Sequence, residues 1–370
     1  MDTKKNIAIV TLSFDGGGAE KILLRIVKNL ANELNFHIIT FYDKGIYLDE
    51  IKTLSHVKYT CIHAEKGNTL SFAWRIRKVF ASTRPDRVLS FLYYPNIVTF
   101  LALSGSGILH FPSERSNHQK YLTKSFKHKI WKWLLKRTYN KAFKIITVSE
   151  NSKKLIQEDF NVLPTKLINI YNGISFPMLD TLKAEPISDF RFDQDTKYII
   201  SVGNLYPVKN YPLLIESFDL VHSKFPNTRL LIIGKGDQEK VLRDIVLSKN
   251  LTNSVFLLGF MKNPHAFVSK ASCYVLSSNF EGFPNSLLEA MYVNGHVIST
   301  DCPTGPSEII STMKDGILCP LTNSQALADA MEKMCFDENF REFVYINSRK
   351  KIIQFDETIM ISNYLNLLNQ

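Results

Sequence analysis

Apolar residues recur along this chain in short runs of four to six, each followed by a longer segment with helical spacing. Runs at positions 7–12, 36–41, 57–61, 87–91, 108–111, 145–148 and 167–171 read as strands, with amphipathic helices between them. A polar, poorly patterned stretch at 177–195 interrupts this rhythm, just after the turn signal Asn172-Gly173-Ile174. The rhythm resumes with runs at 198–202, 229–233, 255–258, 273–276 and 297–300. Such alternation predicts an α/β chain with two doubly wound parallel sheets. The expected division is a first domain over residues 1–175, a linker over 176–195 and a second domain over 196–355. Ligands of open α/β sheets bind beyond the carboxyl ends of the strands, so the loops after the strands are where chemistry is sought.

A length of 370 residues suits two domains of this kind, each able to bury its own core. The five cysteines (Cys61, Cys273, Cys302, Cys319 and Cys335) have no paired spacing, so neither a disulfide framework nor a zinc site is expected. An odd count fits a reducing compartment. Met1-Asp2-Thr3-Lys4-Lys5-Asn6 runs directly into a strand pattern, and no signal peptide is expected. Residues 88–113 hold no Lys, Arg, Asp or Glu, a stretch long enough to cross a bilayer. Tyr93-Tyr94-Pro95-Asn96 and Ser104-Gly105-Ser106-Gly107 break it, so it reads as strand, helix and strand inside a buried core.

Charge changes the picture more. Residues 1–175 hold 27 Lys/Arg against 13 Asp/Glu, whereas residues 176–370 hold 18 against 22. The excess of the first half implies that it meets something anionic. Its source is concentrated: from His118 to Lys144 there are nine basic residues and no acid. At helical spacing Trp131, Leu134, Leu135, Thr138 and Ala142 share one face, while Trp133 and Phe143 fall among the lysines on the other. A basic face with exposed aromatics is what an interfacial helix offers anionic lipid. The helix at 70–80, with Trp74, Arg75, Arg77 and Lys78, could widen the patch. No nucleic-acid-binding signature accompanies these charges, and no nucleic acid is expected as a partner.

The most informative segment is Glu281-Gly282-Phe283-Pro284-Asn285-Ser286-Leu287-Leu288-Glu289. Eight positions separate its two acids, too many for neighbours on one helix face. The pattern places Glu281 in a loop and Glu289 about two turns inside the following helix. Backbone N–H groups of Phe283, Asn285 and Ser286 lie between them, where the helix dipole favours an anion. A ligand with hydroxyls at both ends and phosphates in the middle, such as a nucleotide-sugar, fits that row.

This segment resembles the E-x7-E signature of the family-4 retaining glycosyltransferases. The likeness extends through Gly295-His296-Val297-Ile298-Ser299-Thr300-Asp301-Cys302-Pro303-Thr304-Gly305-Pro306-Ser307-Glu308, Gly203-Asn204-Leu205-Tyr206-Pro207-Val208-Lys209 and Leu231-Ile232-Ile233-Gly234-Lys235-Gly236. It implies the GT-B fold, two Rossmann-like domains facing across a cleft, with residues 356–370 forming a helix that returns to the first domain. It further implies that Lys209 clamps the donor diphosphate and that Glu281 faces the transferred sugar. Phe283, Pro284, Asn285 and Ser286 would surround sugar hydroxyls and phosphates, and Glu289 would hold the ribose. Gly234, Gly236 and the turn Gly259-Phe260-Met261 would shape the base pocket. The family usually has Arg where this chain has Asn204, which removes one cation from the clamp.

In the first half, Asp15-Gly16-Gly17-Gly18-Ala19-Glu20-Lys21 opens a helix after the first strand. It lacks the third glycine of a dinucleotide fingerprint, and no acid ends the second strand run. By resemblance, Gly17 and Gly18 would instead approach the donor from the N-terminal side. Where many family members carry a His, this chain has Arg115 and Asn117, polar enough to contact sugar or diphosphate. No residue emerges as nucleophile or general base, and the family generally needs neither. No Asp/His cluster has metal-ligand spacing, so no metal and no cofactor is expected.

The expected protein is therefore a retaining, metal-independent transferase moving a hexose or N-acetylhexosamine from a UDP-sugar to a glycan acceptor. A polyprenyl-diphosphate-linked acceptor at the cytoplasmic face of a membrane, met through residues 118–144, suits the charge. The resemblance is to bacterial transferases that build capsule, O-antigen or glycoprotein glycans. A non-catalytic polyanion-binding protein, or a nucleotide-sugar hydrolase or epimerase on the same fold, are the rival readings.

Overall fold

A computed structural model describes residues 4–115, 126–188 and 190–370. The chain forms two compact units, one of residues 1–173 with 358–370 and the other of residues 174–357. The first holds the strands β1 (Asn6–Thr11), β2 (Asn35–Thr40), β3 (Val57–Cys61), β4 (Arg87–Phe91), β5 (Leu109–Ser113), β6 (Ile145–Thr147) and β7 (Leu167–Asn169). They pair in the order β3-β2-β1-β4-β5-β6-β7, every pair parallel.

Alternation along β1 shows why the sheet is covered on both faces. Ile7 and Ile9 join a cluster with Ile22, Leu23 and Ile26 of the helix Gly18–Asn29. Ala8 and Val10 join another, with Phe72, Ala73 and Ile76 of the helix Thr69–Thr83 and Val98 of the helix Tyr93–Ala102. Successive strand residues point to opposite faces, so a strand buried on both reads as a continuous apolar run. The uncharged stretch 88–113 resolves into β4, a helix and β5, and among the described residues no helix is long and apolar enough to cross a membrane. The last helix, Glu357–Asn369, brings Met360, Tyr364, Leu367 and Leu368 into the same core as Ile7 and Ile9.

The second unit holds β8 (Lys197–Val202), β9 (Thr228–Ile233), β10 (Val255–Gly259), β11 (Cys273–Leu276), β12 (Val297–Thr300) and β13 (Ile317–Cys319). Their order is β10-β9-β8-β11-β12-β13, again all parallel. Strand β13, three residues at the sheet edge, is one the apolar pattern does not reveal. Within the stretch expected to be an unpatterned linker lies the helix Phe176–Ala184, which buries Leu179 and stacks Phe176 flat on Tyr292, ring centroids 4.5 Å apart. A proline at its start supports that helix, since its missing N–H is not needed there.

Candidate functional site

In the second unit the strand order reverses between β8 and β11, whose loops leave in opposite directions and open a crevice at their carboxyl ends. The loop after β8 carries Gly203 to Asn210, and the loop after β11 carries Ser277 to Pro284. Three bonds lash them together. Ser277 Oγ donates to the Lys209 carbonyl (2.8 Å), the Asn279 N–H to the Val208 carbonyl (2.8 Å), and Asn210 Nδ2 to Asn279 Oδ1 (3.1 Å). Asn210 reaches its place through a left-handed backbone, φ 48°, which Asn tolerates better than most residues.

This lashing brings two sequence-predicted residues into contact. Lys209 Nζ donates to Glu281 Oε1 at 2.6 Å, and Ser278 Oγ donates to the same oxygen at 2.6 Å. The two side chains are 19% and 13% exposed, enough shielding to strengthen their attraction while leaving both reachable. The loop after β12 closes the arrangement, since Thr304 Oγ1 donates to the Glu281 carbonyl and Thr300 Oγ1 to that of Ser278. Beside it, burial and then the charge of Glu281 push the Cys302 thiol up to about 12, so it is no nucleophile.

The helix after this loop runs Asn285–Val293, with Pro284 as its extended N-cap. Glu289 is therefore one turn inside the helix, not two. Gly282 and Phe283 stay outside it because Pro restricts the residue before it to extended backbone. Glu289 is buried, and Oε2 stands 3.7 Å from His265 Nε2. Ser286 Oγ accepts the Tyr274 hydroxyl at 2.9 Å, tying the helix start to β11.

Gly234 and Gly236 follow β9 and press on the β8 loop. A Cβ at Gly234 would lie 1.9 Å from the Gly203 carbonyl oxygen, and one at Gly236 would lie 2.4 Å from that of Leu205. Close backbone approach alone accounts for both glycines. Asn204 is exposed on the same loop.

In the first unit the glycine loop follows β1, and Gly17 caps the helix Gly18–Asn29. The carboxylate of Glu20 folds back over it; a Cβ at Gly17 would sit 2.4 Å from Glu20 Oε2. Burial raises the Glu20 carboxyl above its ordinary range and nearby Asp15 adds to this, against backbone N–H groups and Arg115. Arg115 is buried rather than displayed: Nη1 donates to the Tyr364 hydroxyl (3.1 Å), Nη2 to Asn172 Oδ1 (2.5 Å), and the guanidinium lies over the Phe91 ring. Its neighbour Glu114, fully buried, accepts the Tyr139 hydroxyl at 2.7 Å. Asn117 lies outside the described residues, as do Lys120 and Lys124 of the basic stretch.

Residues 126–141 of that stretch form the helix Phe126–Lys141. Leu135, Thr138, Tyr139 and Ala142 face the core. Trp133 is 51% exposed with the Arg137 guanidinium over its ring, and Phe143 and Ile130 are exposed as well. On another helix Trp74, 57% exposed, carries Lys78 over its ring. Among the described residues no group of His, Cys, Asp and Glu is placed to hold a metal ion.

Sequence reasoning missed Ser278, Thr304, Tyr274, His265, Glu20 and Glu114. Ser278 and Thr304 lie within or beside motifs already singled out. Glu20 lies within the glycine-loop motif and Glu114 beside Arg115, whereas Tyr274 and His265 belong to ordinary strand and helix patterns and carry no local signal.

Comparison with known proteins bears on the family and the fold. A model described as Glycosyltransferase Family 4 matches residues 16–176, and one described as Glycosyl transferases group 1 matches residues 183–351. An uncharacterized glycosyltransferase of Methanocaldococcus jannaschii is 30% identical over 78% of this chain and 80% of its own. The N-acetylgalactosamine-N,N'-diacetylbacillosaminyl-diphospho-undecaprenol 4-alpha-N-acetylgalactosaminyltransferase of Campylobacter jejuni is 25% identical over 98% of this chain and 99% of its own. Among solved structures, Anabaena HepE in complex with UDP and glucose matches with a TM-score of 0.83 at 17% identity, covering 98% of this chain and 99% of that one. Matched in both halves by these models and carrying two doubly wound sheets, the chain belongs to the family-4 glycosyltransferases and has their α/β, GT-B type of fold.

Proposed function

We propose that this glycosyltransferase moves a hexose or N-acetylhexosamine from a UDP-sugar to a glycan acceptor, with retention at the anomeric carbon and without a metal ion. The observation that carries the reading is the shielded Lys209–Glu281 pair at the sheet's switch point, one turn from a helix N-terminus. Lys209 and the helix dipole supply the positive field that a departing diphosphate needs. Both bonds to Glu281 fall on Oε1, which leaves Oε2 for a hydroxyl of the transferred sugar. Glu289 binds the ribose hydroxyls. The acceptor hydroxyl forms its bond to the anomeric carbon on the face from which UDP leaves. The bond from that carbon to the diphosphate oxygen breaks, and the acceptor's proton passes to that phosphate. No side chain need act as nucleophile.

The acceptor we propose is linked to a polyprenyl diphosphate, as the Campylobacter jejuni relative's name indicates for its own substrate, within the synthesis of a bacterial surface or protein-linked glycan. The helix Phe126–Lys141 would rest on the anionic cytoplasmic leaflet, lysines toward the headgroups and Trp133 at the interface. The direct test is UDP release from a panel of UDP-sugars, with and without a lipid-linked acceptor. Acceptor-dependent turnover supports the reading. Turnover without acceptor would make the protein a hydrolase or epimerase, and no turnover on any donor would favour a binding protein that keeps a transferase fold.

A further inference from the structure

His265, buried against Glu289, lies outside every motif that the chain's chemistry suggests. His265 opens the short helix His265–Lys270, which follows the edge strand β10. That helix is fixed at both ends. Asn263 Oδ1 accepts the His265 N–H at 3.0 Å, while Asn263 Nδ2 donates to the Leu182 carbonyl (2.7 Å) and to Glu185 Oε2 (2.8 Å). At the far end Asn294 Nδ2, just past the helix Asn285–Val293, donates to the carbonyls of Val268 (2.9 Å) and Ala271 (2.7 Å). The His265 backbone is thus registered against the helix that carries Glu289, and the two side chains, 9% and 8% exposed, meet at 3.7 Å.

A ribose diol takes hydrogen bonds in a fixed direction, yet the terminal torsion of a glutamate is broad and soft. A buried carboxylate is also costly unless something with positive or donor character faces it. His265 answers both needs, because its Nε2 is anchored by a rigid ring and stands beside one carboxylate oxygen. We propose that His265 is a positioning residue for the nucleotide: it holds the Glu289 carboxylate in the plane that receives the ribose hydroxyls. This rests on the reading of Glu289 as the ribose ligand.

The test is a ligand-truncation cycle on the full chain, titrating UDP and 2',3'-dideoxy-UDP by calorimetry. Wild-type protein should prefer UDP. His265→Phe, which keeps the ring and loses the nitrogen, should weaken UDP binding about threefold, the scale of a polar contact longer than a hydrogen bond, and leave dideoxy-UDP binding unchanged. His265→Gln, which restores an N–H, should recover most of the loss. Equal weakening of both ligands, or of neither, in His265→Phe would overturn the role of His265 while leaving the transferase reading intact. A wild-type protein that binds the two ligands equally would instead overturn the assignment of Glu289 to the ribose, and the inference with it.

Discussion

The two units are built alike and use their ionisable residues in opposite ways. In the second, Lys209 and Glu281 stand on loops at the carboxyl ends of adjacent strands, partly shielded and bound to each other. In the first, Arg115 and Glu114 follow β5, one strand beyond the central pair β1 and β4, and each is buried and hydrogen-bonded within the unit. Arg115 joins residues 57 and 249 positions away, fastening the last helix to the unit that the chain began with. Part of the surplus charge of that unit lies on the exposed Lys129, Lys132, Lys136, Arg137 and Lys141 of the helix Phe126–Lys141. On the proposed reading, one sheet offers its loops to chemistry, and the other offers a helix surface to something anionic.

The largest expected effect breaks the first half of that comparison. Lys209→Ala should lower kcat on the order of 100- to 1,000-fold, the usual cost of removing one preorganised group at a developing charge. Glu281→Gln should cost less, because Lys209 keeps its charge. Turnover with saturating donor and acceptor measures both. If Lys209→Ala retained near-native kcat, the crevice between β8 and β11 would not be the place of reaction.

Arg115→Ala should do the converse. Losing a buried guanidinium strands Tyr364, Asn172 and the neighbouring acids, an expected loss of about 3 kcal/mol in stability. Chemical denaturation measures it, while UDP affinity should change little. A loss of UDP affinity matching that of Lys209→Ala would mean that the first unit also contributes to donor binding, and the division of labour would fail.

The surface charge is tested next. Lys132→Gln and Lys136→Gln should each weaken binding to vesicles rich in anionic lipid about fivefold, with Trp133→Ser adding to the loss. Flotation with and without anionic lipid checks this. Wild-type protein that floats with neither vesicle type removes the membrane role.

What could be seen beforehand follows the range of the interactions. Doubly buried strands were legible because both faces demand apolar residues, and Cys273–Leu276 and Val297–Thr300 fall where the pattern places them. The inner and outer faces of the basic helix were legible from the 3.6-residue period for the same reason. The helix Phe176–Ala184 was hidden, since it buries one residue and offers little periodicity. Arg115 looked like a ligand contact because its partners come from distant segments, and no local pattern announces a tertiary bond. His265 was invisible on the same grounds: it lies 24 residues before Glu289, and only the packing of two helices brings them together.

The smallest effect concerns pH, and it belongs to the first unit. His110 on β5 is buried beside Ser90 Oγ at 2.8 Å, and burial holds its pKa down to about 3. Unfolded, the same imidazole takes a proton near its ordinary value of 6.5. Between these values the unfolded chain binds more protons than the folded one, so stability falls as pH drops from about 6.5 toward 3, by at most about 1.4 kcal/mol per pH unit for this group. His37, also held low by burial and by Lys58, steepens the same limb. His110→Gln keeps a polar partner for Ser90 and cannot titrate. Its denaturation midpoint should therefore depend less on pH over this window than that of wild type, converging with it at acid pH. Parallel pH profiles for the two proteins would mean that His110 is protonated in the fold, and that the core under β5 is wetter than its packing implies.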